Sequence, residues 1–304
     1  MENKIISDLK KLNITSVKEN EPLYRHTSYR VGGPALVYVE AASFSDITNT
    51  IDYALENKIN YFILGNGSNV LISDKIFQGI IISTKKLNSY ELSGTNLYAM
   101  CGVNLITLAY QMANQGLSGL EFASGIPGCI GGAIFMNAGA YKKDFSHIID
   151  RVLLYRNKKQ EWVDVEEMNF TYRHSIMQDH RDWVVLAVDL KLEETDKDEI
   201  LQLMKDRKER RMGTQPYDAF SAGSVFKNPS DELYSWQLVD SVNLRGYAIN
   251  DAQVSMKHSN FIINKDRASA QDVYDLIHKV KNEVKSASGV ELKVEIELVN
   301  FDEE

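Results

Sequence analysis

The run from Ser269 to Gly289, SAQDVYDLIHKVKNEVKSASG, spaces Val273, Leu276, Ile277, Val280 and Val284 three or four residues apart. That period puts them on one face of a helix and predicts a buried stripe. Ser269 followed by Asp272 reads as a capping box, and Gly289 as the stop. The next segment, VELKVEIELV, changes to a period of two. Val290, Leu292, Val294, Ile296 and Leu298 point one way and Glu291, Lys293, Glu295 and Glu297 the other, which predicts a strand with one buried face. In the first third, SDITNTIDYALENK opens with Ser45 as a cap and lines up Ile47, Ile51, Ala54 and Leu55 as an amphipathic helix. YFIL is a short apolar strand running into GNGSN, and GIIIST is a buried one. NLITLAYQMANQG predicts a helix closed by Gly116, and RVLLYR and WVVLAVDLKL predict further strands. The mixture predicts an α+β chain of more than one domain, with a seam at 200–215, where a charged helix leads into MGTQPYDAFSAG.

Composition narrows the class. At 304 residues, with 44% hydrophobic and 25% charged positions, the chain has the balance of a globular protein of two or three domains. No apolar run approaches the length of a membrane span or of a signal peptide. Two cysteines, Cys101 and Cys129, make no disulfide framework and point to a reducing, cytoplasmic setting. A net charge of −8 speaks against general nucleic-acid binding. Against that background KDRKERR (205–211) is either a solvated helix face or a source of side chains for a phosphate-bearing ligand.

Two glycine-rich loops carry the strongest chemical signal. In LGNGSNVLISD, Gly65 and Gly67 permit a sharp turn, and Asn66, Ser68 and Asn69 add polar groups. Such a turn is either a tight connection between strands or a nest of N–H groups for a pyrophosphate. In ASGIPGCIGGAIFMNAGAY, Gly125, Gly128, Gly131 and Gly132 sit among small apolar residues, suited to packing against a flat ligand or against another backbone. Neither loop matches the dinucleotide fingerprint or the P-loop. The six histidines show no zinc-binding spacing, so no metal is expected. Ser224, in AGSVFKNP, has no histidine within thirty residues and no nucleophile-elbow motif; it is either a turn hydroxyl or a group with chemistry that needs no adjacent base. Arg173 in FTYRHS reads alone as a surface or ion-paired arginine. Glu295 faces either solvent or a cavity.

Taken in order, HTSYRVGGPA, LGNGSNVLISD, GLEFASGIPGCIGGAIFMNAGAY, FTYRHS, QPYDAFSAGSVFKNP, AQVSMKHSNFIIN and GVELKVEIELV span nearly the whole chain. On these stations the sequence resembles the UDP-N-acetylenolpyruvoylglucosamine reductases, flavoenzymes of peptidoglycan precursor synthesis. The short interval between YRHS and GSVFKNP resembles their compact second type. The resemblance implies an FAD-binding fold of the vanillyl-alcohol-oxidase type in two subdomains, 1–85 and 86–205, and an α+β substrate domain, 206–304. It implies that NADPH reduces a non-covalent FAD, which then reduces a small UDP-sugar enol ether, in a cytoplasmic monomer with no nucleic-acid or membrane partner.

The same resemblance implies roles for residues. Gly65, Asn66, Gly67, Ser68 and Asn69 hold the pyrophosphate, and Ser124, Gly125, Ile126, Gly128, Gly131, Gly132 and Asn137 lie along the flavin and its phosphates. Ser224 is the proton donor; a weak acid suffices when it is pre-positioned beside a basic enolate. Arg173 and Glu295 polarise the substrate carboxylate, and Glu295 is expected to keep its proton through a raised pKa. Tyr172, Arg211, Gln215, Lys227 and Asn228 contact the uridine diphosphate or sugar. Phe220 stands where the family usually carries proline, and Asn250-Asp251 where small residues are common.

Overall fold

The computed structural model describes residues 2–302. The chain forms an α+β fold whose contacts divide into two compact units. The first comprises residues 1–19, 36–66 and 79–209, and the second residues 20–35, 67–78 and 210–304.

Two sheets organise the first unit. One has four strands in the order Val17–Pro22, Pro34–Glu40, Phe77–Ser83 and Asn60–Leu64, the last pair running parallel. The helix Phe44–Glu56 covers it with Ile47, Ile51 and Ala54, all buried as the stripe predicts. Its cap is Ser43 and not Ser45: the Ser43 hydroxyl accepts the Asp46 N–H at 3.1 Å. Leu55, at the edge of the stripe in the last turn, is exposed. The second sheet is antiparallel, with five strands ordered Lys159–Asp164, Ile149–Arg156, Val184–Lys191, Asn96–Met100 and Tyr90–Ser93. The predicted helix at 105–113 has Asn104 as its cap, and Gly116 follows it with φ +72°. Both sheets feed one apolar core that runs from Ile5 to Met204.

The second unit has its own core. The helix Ala270–Ser288 carries the capping box at Ser269 and Asp272 and ends at Gly289, and its whole predicted stripe is buried. It packs on a three-stranded sheet of Ala248–Ile249, Ala252–Val254 and Ile262–Asn264. Tyr29, Val31 and Leu71 join the same core. The predicted strand over 290–299 is not continuous. Only Glu297–Val299 is a strand, running parallel to Val70–Ile72, while Val294 makes an isolated antiparallel bridge to Phe226. The alternation in sequence survives in the burial of Leu292 and Ile296, but the pairing partner changes between them.

The two departures from the family pattern are accommodated locally. Asn250 adopts φ +47°, a conformation asparagine tolerates where glycine is common, and its side chain donates to Asp272 at 2.7 Å. Phe220 accepts the Asn264 N–H at 2.8 Å through its main chain, and its ring lies under the Arg30 guanidinium.

Candidate active site

The first glycine loop leaves the strand Asn60–Leu64 directly. Among the described residues, the N–H groups of Gly65, Asn66 and Gly67 donate to no carbonyl oxygen. Unpaired amides in successive positions of a tight turn are the donors that an anion needs. Gly65 also lies against the second loop, since a Cβ there would come within 2.5 Å of the Cys129 Sγ. The two glycine loops therefore touch, although more than fifty residues separate them in sequence. At Gly132 a Cβ would meet only Cys129 Sγ, at 4.0 Å, so the backbone is open there beside that contact, whereas Gly131 packs on Cys101. This donor turn next to open glycine backbone fits a dinucleotide cofactor with an anionic bridge and a flat ring.

The rest of the second loop is fixed by the main chain. Ile130 and Gly131 donate to the carbonyls of Val103 and Cys101 at 3.0 and 2.8 Å. Ser124 donates its hydroxyl to the Glu121 carbonyl at 2.8 Å. Both cysteines are buried free thiols, and burial, with Cys129 nearby, pushes the Cys101 thiol up. Asn137, buried and at φ +42°, donates to the Thr171 carbonyl at 3.0 Å and accepts the Ser146 N–H at 3.2 Å.

Thr171 opens the tight turn that carries Tyr172 and Arg173. Thr171 and His174 exchange main-chain hydrogen bonds at 3.1 and 3.2 Å, and Arg173 takes φ +54° between them. A left-handed arginine is an unfavourable local choice, so the surroundings must impose it. Gln178 does so by donating to the Arg173 carbonyl at 3.0 Å, while the Arg173 guanidinium donates to the Gly139 carbonyl at 2.8 Å. That guanidinium also lies 5.1 Å from the ring of Tyr172, which is half exposed.

In the second unit, Ser224 follows Gly223, whose φ is +79° and whose Cα faces open space. The segment after it is held from two sides. Val225 accepts the Glu295 N–H at 2.7 Å, and Lys227 donates its N–H to Lys293 at 2.9 Å, so the segments bearing Ser224 and Glu295 run side by side and antiparallel. On the other side, Asn260 accepts the Val225 and Phe226 N–H groups, at 2.8 and 2.9 Å, and donates to the Phe226 carbonyl at 2.8 Å. Ser235, fully buried, donates its hydroxyl to the Lys227 carbonyl at 2.6 Å and its N–H to the Asn228 side chain at 3.1 Å.

Asn69 holds Glu295 from a further direction. Its side chain donates to the Glu295 carbonyl at 3.3 Å, and its own carbonyl accepts the Glu297 N–H at 2.9 Å. Arg211 donates through Nε to Gln215 at 3.2 Å, and its Nη1 is buried with no partner among the described residues. Such a donor is suited to an anionic ligand. Arg173 and Tyr172 thus belong to the first unit, and Ser224, Glu295, Arg211, Gln215, Lys227 and Asn228 to the second. Sequence reasoning missed Asn260 and Ser235; their one signal was a polar residue adjoining apolar runs.

Comparisons with known proteins agree with this picture. A family model described as FAD binding domain matches residues 35–156, and one described as UDP-N-acetylenolpyruvoylglucosamine reductase, C-terminal domain, matches residues 215–299. A Bacillus subtilis (strain 168) UDP-N-acetylenolpyruvoylglucosamine reductase is 39% identical over 298 residues, 97% of this chain and 98% of the relative. One from Caldanaerobacter subterraneus subsp. tengcongensis is 42% identical over 281 residues, 92% of each chain. The crystal structure of the Thermus caldophilus enzyme aligns with a TM-score of 0.80 at 32% identity, covering 93% of this chain and 98% of that one.

Proposed function

The chain belongs to the UDP-N-acetylenolpyruvoylglucosamine reductase family, and on that footing we propose how its residues divide the reaction. The enzyme is an FAD-dependent oxidoreductase that uses NADPH to reduce UDP-N-acetylglucosamine enolpyruvate to UDP-N-acetylmuramate in peptidoglycan precursor synthesis. When bound along the two glycine loops, FAD would supply hydride transfer from NADPH to C3 of the enolpyruvyl group. The electron pair of the double bond then moves toward C2 and its carboxylate, and C2 must receive a proton.

Ser224 gives that proton from its hydroxyl, a weak acid that serves because it is already in place. Arg173 presents fixed donors to the substrate carboxylate, and Glu295, carrying its proton, donates to the developing enolate. The amides of Gly65 to Gly67, with Ser68 and Asn69, receive the FAD pyrophosphate. The stretch from Ser124 to Gly132, with Asn137, lies along the non-covalently bound flavin. Tyr172, Arg211, Gln215, Lys227 and Asn228 hold the UDP-sugar. We assign residues 1–85 and 86–205 to flavin binding and 206–304 to the substrate. The protein acts as a cytoplasmic monomer without nucleic-acid or membrane partners; its net charge of −8 and its two free thiols support that reading.

The observation that carries the assignment is the 2.7 Å hydrogen bond from the Glu295 N–H to Val225, which ties the acid pair together one residue from Ser224. The test is anaerobic. NADPH reduces the flavin, the enolpyruvyl substrate is added, and the return of oxidised flavin absorbance is timed. Ser224→Ala is expected to leave flavin reduction unchanged and slow reoxidation by about 10²- to 10⁴-fold. Reoxidation at the parent rate in Ser224→Ala removes the proton-donor role. Glu295→Gln is expected to lower turnover, and full activity in that variant rejects the role given to Glu295.

A further inference from the structure

We propose that Asn260 is a positioning residue for the proton donor, acting on Ser224 through the main chain of Val225 and Phe226; the proposal rests on the role given to Ser224 above. The segment that follows Ser224 belongs to no sheet. Its 293–295 neighbour pairs one edge, and at the other edge the Val225 N–H donates to the Asn260 main chain while the Phe226 peptide groups face the Asn260 side chain. Asn260 fills that edge. A carboxamide carries one acceptor and a donor group in the same geometry as a peptide unit, so it can stand in for a missing strand. Its Oδ1 takes the Phe226 N–H at 2.9 Å and its Nδ2 meets the Phe226 carbonyl at 2.8 Å. Its own carbonyl takes the Val225 N–H at 2.8 Å.

Burial makes these bonds decisive. Val225, Phe226 and Asn260 are 0%, 2% and 4% exposed, so water cannot replace a lost partner. With the Glu295, Lys293 and Ser235 bonds added, each main-chain N–H and C=O from Val225 to Lys227 is matched. On the other side of Ser224 the adjoining residue is a glycine. Gly223 sits at φ +79° with no atom near its Cβ direction, so the chain enters Ser224 through its most permissive residue. The constraint on the hydroxyl therefore comes from the Val225–Phe226 side, and Asn260 supplies three of its bonds.

The experiment uses purified holoenzyme of the parent, Asn260→Ala, Asn260→Asp, Ser224→Ala and the Asn260→Asp/Ser224→Ala double variant. Asn260→Asp keeps the acceptor for the Phe226 N–H but sets a carboxylate oxygen against the Phe226 carbonyl. Each protein is reduced by NADPH without oxygen and then mixed with the enolpyruvyl substrate. Both Asn260 variants are expected to reoxidise about 10- to 100-fold more slowly, the scale of a small misplacement of a reacting group. Their reduction by NADPH should stay within about two-fold of the parent, because that step does not use Ser224. In the Ser224→Ala background the Asn260→Asp change should add almost nothing, since residues acting as a unit are non-additive. Equal losses in both half-reactions, an additive double variant, or unchanged reoxidation each overturn the proposal. Should Asn260→Ala lose its flavin on purification, Asn260→Asp decides the question by the same criteria. A parent enzyme whose reduced flavin ignores the substrate removes the functional reading itself, and the proposal with it.

Discussion

Gly67 holds φ at +67°, and a Cβ there would stand 2.1 Å from the His26 carbonyl oxygen. Gly223 has a comparable φ of +79° but nothing within 4 Å. The pair separates backbone strain from steric collision. Gly223→Ala should cost only the left-handed strain, about 1–2 kcal/mol. Gly67→Ala adds a collision with main chain that cannot rotate away, and should lower both the melting temperature and the flavin retained per protein well beyond Gly223→Ala. Equal melting temperatures for the two variants would count against the close approach. His258 makes a different kind of prediction. Burial, and then the Arg245 charge, hold it below the ordinary histidine pKa of 6.5, with Asp240 opposing. The folded protein keeps this ring neutral while the unfolded chain protonates. Its contribution is therefore whole above pH 6.5 and is lost as pH falls below that value. The neutral Nδ1 also accepts the Asn260 N–H at 3.3 Å, a bond that protonation at Nδ1 would remove. The stability gap between the parent and His258→Gln should narrow from pH 7 to pH 5 in urea titrations; a constant gap denies the shift.

At the scale of elements, the helix Ala270–Ser288 shows what local signals can specify. The Ser269 hydroxyl accepts the Asp272 N–H at 3.0 Å, and the Asp272 carboxylate accepts the Ser269 N–H at 2.8 Å. Ser269→Ala should cost about 1 kcal/mol, read as a lower urea midpoint at unchanged slope. A midpoint equal to the parent's would mean that the rest of the helix, anchored by its buried stripe, does not need its cap. Stripe, box and terminal glycine were all legible because each lies within four residues of its partner. The 290–299 segment shows the limit. Its alternation was correct for Leu292 and Ile296, but the choice between Phe226 and Val70–Ile72 as neighbours depends on chain far away in sequence. The Phe44–Glu56 helix was found with its cap misplaced by two residues, because Ser43 and Ser45 are equivalent until the fold sets where the chain enters. The site followed the same rule. The glycine loops stood out as composition, whereas their contact at Gly65 and Cys129, and the grip of Asn260 on Phe226, arise only from folding.

For the molecule as a whole, the second core is assembled from three stretches of chain, 20–35, 67–78 and 210–304. The piece assigned to substrate binding, 206–304, holds the helices and the three-stranded sheet but lacks Tyr29, Val31 and Leu71, which are 0%, 3% and 0% exposed in that core. It also lacks Val70–Ile72, the parallel partner of Glu297–Val299, and the Tyr29 carbonyl that receives Asn264 at 3.0 Å. Three buried apolar side chains at roughly 1.5–3 kcal/mol each amount to a large share of the 5–15 kcal/mol that typically holds a domain together. The unpaired strand edge and the orphaned Asn264 amide move the balance further the same way. A fragment of residues 206–304 should therefore show no cooperative urea transition, even though its longest helix has every local signal it needs. The Leu71→Ala change in the full chain should reproduce part of this loss, by about 2–5 kcal/mol. A fragment that unfolds in one sharp step, with a slope matching its size, would mean that the helix and three-stranded sheet alone bury enough surface to offset the entropy of ordering them.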